Sequence, residues 1–498
     1  MKRAIYICLA RITKQGLSLI EMLMTELLFG AFFIIFLTYW INRWRNPKCN
    51  GVLPPGSMGL PLLGETLQLL IPRYSLDLHP FIRKRIQRYG PIFRSNVAGR
   101  PIVFTADPEL NHYIFIQERR LVELWYMDTF SNLFVLDGES RPTGATGYIH
   151  KYMRGLFLTH FGAERLKDKL LHQIQELIHT TLQSWCKQPT IEVKHAASAV
   201  ICDFSAKFLF GYEAEKSPFN MSERFAKFAE SLVSFPLNIP GTAYHQSLED
   251  REKVMKLLKN VLRERRNSTK KSEEDVLKQI LDDMEKENFI TDDFIIQILF
   301  GALFAISESI PMTIALLVKF LSAQPSVVEE LTAEHEEILK NKKEKGLDSS
   351  ITWEDYKSMT FTLQVINETL RIANVAPGLL RRTLRDIHYK GYTIPAGWTI
   401  MVLTSSRHMN PEIYKDPVEF NPWRWKDLDS QTISKNFTPF GGGTRQCAGA
   451  EYSRAFISMF LHVLVTKYRW KNVKEGKICR GPILRIEDGI HIKLYEKH

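Results

Sequence analysis

The sequence predicts a mainly α-helical protein with small β-sheets and an N-terminal transmembrane anchor. Three observations carry this: an apolar run near the N-terminus, helical periodicity over about 160–345, and a few short strand patterns bounded by turn residues. Of the 498 residues 45% are hydrophobic, enough for a large core and against a disordered chain. No repeat or composition shift divides the rest, so the organisation reads as anchor (1–45), proline-rich hinge (46–65) and one large domain (66–498).

The anchor comes first. Leu27–Ile41 carries no charge, and extension back to Met22 gives a span long enough for a bilayer core, with Glu26 near its edge. Tyr39, Trp40 and Trp44 stand where interfacial aromatics belong. Basic residues flank both ends, so charge leaves the orientation open. No small-residue cleavage site follows, which favours an uncleaved anchor over a signal peptide. The hinge contains Leu53-Pro-Pro-Gly and reads as stiff and extended. Ile92–Val97 and Pro101–Thr105 form one expected hairpin, Ile387–Ile394 turns at Lys390-Gly391 in another, and Ile490–Tyr495 is a last strand. Thr352-Trp-Glu-Asp355 resembles a helix capping box.

One helix is apolar all round. It begins after Thr291, an N-cap followed by Asp292 and Asp293, and runs to about Phe320. Ser307-Glu308-Ser309 interrupts its apolar run, which favours burial in a core over a second membrane span. A carboxylate and two hydroxyls there must be satisfied or functional.

The net charge of +11 allows a nucleic acid, an anionic membrane or an acidic protein as partner; no zinc finger or arginine-rich run supports nucleic acid. The six cysteines form no CxxC pair, which excludes an ordinary zinc site and suits a reducing compartment. Cys447 stands apart, within Phe440-Gly-Gly-Gly-Thr-Arg-Gln-Cys-Ala-Gly449 and just before a helical run. Glycines let the backbone approach a flat ligand, and a helix N-terminus and Arg445 would both stabilise a thiolate, a soft ligand for iron. A buried free cysteine beside a glycine turn fits the loop alone equally well. A phosphate-binding loop is excluded, because GK[ST] is missing.

Phe440, Gly443, Arg445, Cys447 and Gly449 match the haem-binding signature FxxGxRxCxG of the cytochromes P450. Glu368-Thr-Leu-Arg371 resembles that family's ExxR motif and Phe420–Trp425 its aromatic-arginine segment. The resemblance covers residues 40–498 and implies a haem-thiolate monooxygenase using haem b, with Cys447 as axial iron ligand. It implies that Arg445, Arg154 and His150 meet the haem propionates, with Phe440 and Gly441 against the ring; His150 stands where the family often has Trp. Glu368, Arg371 and Arg424 become a buried network bracing the loop. Glu308 and Ser309 become the acid and hydroxyl that deliver protons, although Ile306 replaces the family's usual glycine and Pro311 follows. Pro311 either frees the Ser307 carbonyl for a water beside that pair or only kinks the helix for packing, and the sequence leaves both readings open.

The implied partners are an NADPH–cytochrome P450 reductase, met by basic residues such as Lys151, Lys435 and Arg454, together with membrane lipid; the implied location is the endoplasmic reticulum membrane, crossed once, with a cytosolic catalytic domain. Phe235–Thr242 and Phe361–Arg371 resemble plant members that oxidise sterols, brassinosteroids and triterpenoids, and a triterpenoid or sterol skeleton is the implied substrate. By position, the pocket would use Trp125, Phe134, Phe235, Ala302, Ala305, Val375, Pro377, Leu379, Ile483 and Leu484. A haem-thiolate isomerase or dehydratase, and an inactive haem-binding sensor or scaffold, are the alternatives of other classes; retained Glu308 and Ser309 weigh against the first.

Overall fold

A single helix, α1 (Lys2–Arg45), carries the apolar run, and the rest of the chain buries none of its segment Met24–Arg45, which has a mean hydropathy of 1.8. The computed structural model describes residues 2–126, 147–214, 220–231, 238–267, 274–376, 378–481 and 483–497. The hinge lies along β1 (Ile92–Val97): Arg94 N donates to Pro55 O at 2.8 Å, and Trp44 Nε1 donates to Met58 O at 3.3 Å.

The helical body follows the periodicity. In chain order its long helices are α2 (Pro80–Tyr89), α3 (Pro108–Ile116), α4 (Tyr148–Phe161), α5 (Leu171–Cys186), α6 (Val193–Phe210), α7 (Met221–Ser231), α8 (Ala243–Asn267), α9 (Val276–Asp283), α10 (Asp292–Ala323), α11 (Pro325–Glu344), α12 (Thr360–Ala373) and α13 (Ala450–Lys467). The apolar helix is α10. Its cap is as predicted, Thr291 Oγ1 accepting from Phe294 N at 3.2 Å. It is a core helix because α6, α7, α8, α12 and α13 all pack on it. Phe225 and Phe228 of α7 set their rings 5.3 and 5.4 Å from Phe300, a specific aromatic seam between the two helices. Thr352 and Asp355 form the predicted capping box.

The main sheet has the order β1-β2-β8-β5-β3, where β2 is Arg100–Thr105, β3 Val122–Leu124, β5 Leu379–Thr383 and β8 Thr399–Val402. Among the described strands only β2 and β8 pair in parallel. The predicted second hairpin is β6 (Ile387–Tyr389) with β7 (Tyr392–Ile394). A β4 (Ile191–Glu192), β12 (His491–Glu496), β9 (Tyr468–Lys474) sheet and the β10 (Lys477–Arg480)–β11 (Leu484–Glu487) pair complete the strands. Leu484 differs from expectation. It opens β11 opposite Arg480 and is buried in the helical core, so it and Ile483 do not line the cavities described below.

Candidate active site

The Cys447 loop is shaped by close packing against α3. A Cβ on Gly442 would stand 2.8 Å from the Phe115 ring, and one on Gly443, at φ +66°, would stand 2.3 Å from the Phe115 carbonyl oxygen. Both positions require glycine. Cys447 N donates to Phe440 O at 2.9 Å and closes the loop. The thiol then stands three residues before α13 and faces a chamber between the loop and α10.

Burial pushes the Cys447 thiol up, and the Gly449 amide with Arg154 and Arg454 lowers it only in part. This corrects the expectation of a thiolate held by Arg445. Arg445 Nε instead donates to Glu118 Oε1 at 3.1 Å, and Arg381 Nε stands 3.0 Å from Glu118 Oε2. A metal ion bound at this sulfur would hold it as a thiolate.

The chamber comprises two adjoining cavities of about 380 and 460 Å³. Leu124, Ala305, Ser309, Ile310, Arg445 and Cys447 line both. Ala302 lines the first; Val375, Leu379, Phe440 and Gly441 line the second. Trp125 does not. Along an extended segment alternate residues share a face, and here Leu124 and Tyr126 take the chamber side while Trp125 is buried behind them. Phe134, Phe235 and Pro377 lie outside the described residues.

Arg381 was not legible as a site residue, yet it lines the chamber beside Arg445. Its signal was the strand Leu379-Leu-Arg-Arg-Thr383, whose alternation buries Arg381 and exposes Arg382. Arg154 reaches the loop from α4 and donates to Gln446 O. His150 is held below its usual range by burial, then by Arg445 and Arg154, so it sits among these charges as a neutral ring. Two guanidiniums, Arg381 and Arg445, share the one Glu118 carboxylate at an edge of the apolar chamber, and Arg154 adds a third positive charge from behind the loop at Gln446 O. The glycine-walled loop, the soft Cys447 donor and that edge together fit haem b, a flat apolar ring with two propionates.

Glu368 and Arg371 are fully buried and bonded twice, Nε to Oε2 at 2.9 Å and Nη2 to Oε1 at 2.8 Å. Arg424 Nε adds 2.9 Å to Oε1 and Trp425 Nε1 3.1 Å to Oε2. Arg371 Nη1 also donates to His408 O at 2.8 Å, and the His408 ring accepts from Thr438 N at 3.1 Å. Burial, then Arg371, lowers His408 to about 3, which keeps it neutral and able to accept. His408, which carries the network to the loop, could not be found from the sequence.

Glu308 and Ser309 face different ways, because consecutive residues stand about 100° apart on a helix. Ser309 faces the chamber and its Oγ donates to Ala305 O at 2.8 Å. Glu308 points to α6, where Lys194 Nζ is 3.0 Å from Oε2. The Pro311 expectation is also corrected. Pro311 offers no N–H to the Ser307 carbonyl, but Ser198 Oγ of α6 donates to it at 3.0 Å, in the position assigned to a water. Ser198→Ala should therefore cost about 1–3 kcal/mol, measured by urea unfolding, by leaving that buried carbonyl without its donor. Adding Pro311→Ala should recover part of the loss, since residue 311 regains its N–H. Full stability in Ser198→Ala would show that the bond contributes nothing.

Residues 54–493 match the family described as Cytochrome P450. The chain is 52% identical over 468 residues to a cucurbitadienol 11-hydroxylase of Siraitia grosvenorii, covering 94% of this chain and 98% of that one. It is 50% identical over 464 residues to a beta-amyrin 16-alpha-hydroxylase of Maesa lanceolata, covering 93% and 97%. A cholesterol 22-monohydroxylase of Paris polyphylla is 33% identical over 467 residues, covering 93% and 97%. The solved structure of a retinoic acid-bound cyanobacterial CYP120A1 shares the fold, with a TM-score of 0.78 at 24% identity, over 90% of this chain and all of that one.

Proposed function

The chain belongs to the cytochrome P450 family, and from that premise we propose that it is a monooxygenase that hydroxylates a triterpenoid skeleton. The observation that carries the chemistry is the chamber that Cys447 and Ser309 both line. Haem b held there by a thiolate supplies dioxygen activation and insertion of one oxygen atom into a C–H bond, using electrons from NADPH relayed by a reductase. With haem bound, Cys447 would ligate its iron, and Arg381, Arg445 and Arg154, with His150, would hold its propionates. Ser309 keeps a hydroxyl proton inside the chamber. Glu308 holds its charge against Lys194, so it must leave that ion pair to pass a proton to Ser309. Ile306 and Ile310 keep the wall beside Ser309 apolar and exclude bulk water.

The substrate class rests on the two relatives of 50% identity or more, named for cucurbitadienol and beta-amyrin. Ala302, Ala305, Val375 and Leu379 offer the apolar wall such a skeleton needs. A steroid, brassinosteroids included, is the second reading, favoured by steroid hydroxylases at 32% identity. Co-expression with a reductase, feeding of cucurbitadienol, beta-amyrin and cholesterol, and mass spectrometry test both. An NADPH-dependent gain of one oxygen atom on a triterpene supports the reading. Gain on cholesterol alone moves the substrate to steroids, and a product without added oxygen moves the enzyme to an isomerase or dehydratase.

The apolar N-terminal helix supports a membrane anchor, and we assign the membrane to the endoplasmic reticulum, crossed once, with the catalytic domain in the cytosol. Lys151 and Lys435 are exposed near the loop and suit an acidic reductase surface; Arg454 instead lies under the Phe440 ring at 4.7 Å. Removal of residues 1–45 should move the protein from the membrane pellet to the soluble fraction in high salt with its haem content kept. A truncated chain that needs detergent for release would show the anchor to be misplaced.

A further inference from the structure

We propose that Glu118 is a positioning residue for haem in this chain: its carboxylate holds Arg381 and Arg445 in place for the propionates and sets the charge beside the ring. The proposal rests on the haem reading of the Cys447 loop and goes beyond it, since Glu118 lies in none of the motifs that carry that reading. Glu118 stands in the turn between α3 and β3, with its side chain 4% exposed. Two segments distant in sequence meet on it. Its Oε1 accepts from Leu124 N at 3.2 Å and from Arg445 Nε at 3.1 Å, and its Oε2 stands 3.0 Å from Arg381 Nε. Leu124 is the register partner of Arg381 in the β3–β5 pair, and Gly443 of the loop packs on Phe115 of α3. Strand β5 and the Cys447 loop are thus joined through one carboxylate.

Both arginines are buried and both line the 460 Å³ cavity. Two guanidiniums so close and so poorly solvated would repel each other without the acid between them. Holding them in place beforehand spares haem the cost of ordering them. The charges agree with this role. Arg381, Arg445 and Arg154 are cations, Glu118 is an anion, and burial keeps His150 neutral. Arg119, next in the chain, is exposed and screened by solvent. The two positive charges left over match the two propionates. A neutral side chain at 118 could tie the same segments together, but it would leave the site with one positive charge too many. That charge separates a positioning role from a merely structural one.

The test compares Glu118→Gln, Glu118→Asp and the double variant Glu118→Gln with Arg381→Gln as purified holoenzymes. The readouts are the ferric–ferrous reduction potential and the rate of haem transfer to apomyoglobin. Glu118→Gln keeps the size and one acceptor oxygen. It should raise the potential, because losing a negative charge beside the ring favours the ferrous form. It should also speed haem loss about tenfold to a hundredfold, the worth of one charge-assisted hydrogen bond. Glu118→Asp keeps the charge and shortens the reach, so it should lose haem faster at the wild-type potential. The double variant restores the charge balance and should bring the potential back toward wild type without restoring haem retention. Should Glu118→Gln hold no haem, the step from Arg381→Gln to the double variant measures the same charge and should again be upward. An unshifted potential at that step, or in Glu118→Gln, overturns the proposal, and so does wild-type haem retention in Glu118→Gln. The haem reading stands through such a failure if wild type shows the thiolate-type carbon monoxide spectrum. Wild-type protein that takes up no haem overturns both.

Discussion

Cys447→Ser should abolish the thiolate-type absorption of the reduced carbon monoxide complex and lower oxidation on the order of a thousandfold or more, as loss of an obligatory catalytic group does. The substitution is nearly isosteric. Cys447 N bonds Phe440 O through the backbone, and the packing of Gly442 and Gly443 on Phe115 involves no side chain of residue 447, so the loop should survive. What changes is the donor. The thiol site is already one where burial favours the protonated form, and an alcohol, far less acidic, cannot ligate iron as an anion there. Cys202 and Cys479 are the controls. Both are buried away from the chamber, and serine at either should leave the absorption in place. A thiolate-type spectrum in purified Cys447→Ser protein, or its loss in a folded Cys202→Ser protein, would remove Cys447 as the ligand.

Features set by neighbours in sequence were legible; those that need two distant segments were not. The Thr291 cap, the Thr352–Asp355 capping box and the Lys390-Gly391 turn are local, and the structure has them. An apolar helix interrupted by Ser307-Glu308-Ser309 reads as core by length alone. The neighbours of that interruption come from α6, more than a hundred residues earlier: Lys194 for Glu308 and Ser198 for the Ser307 carbonyl. No local pattern marks either. Arg445 was expected beside the sulfur because it is close in sequence, but the backbone turns it to Glu118, an acid 327 residues away. Trp125 was misplaced by one residue, which in extended backbone is the opposite face.

Arg371→Lys should yield a chain that holds little haem and unfolds about 3–5 kcal/mol more easily, the range for a broken buried ion pair. Lysine keeps the charge, so Coulomb attraction alone would predict tolerance. The geometry predicts otherwise. Arg371 uses each of its donors: Nε and Nη2 on Glu368, Nη2 also on Glu419 O at 3.3 Å, and Nη1 on His408 O at 2.8 Å and Pro417 O at 2.7 Å. An ammonium has three donors and no planar fork, so some of these buried acceptors lose their partner. Each orphaned carbonyl adds about 1–3 kcal/mol, against a total domain stability of about 5–15 kcal/mol. Glu368 is in the same position from the other side, since it accepts from Arg371, Arg424, Trp425 and Asn421 N. Replacing both members, as Glu368→Leu with Arg371→Met, removes that pair but leaves the Arg424 guanidinium and Trp425 Nε1 without Glu368 and the carbonyls of His408 and Pro417 without Arg371. The double variant should therefore recover only part of the loss. The loop should report the damage first, because His408 holds Thr438 two residues before Phe440. Haem per protein and urea midpoints measure both effects. Arg371→Lys with wild-type haem content would show that charge suffices and that the fork of bonds does not brace the loop.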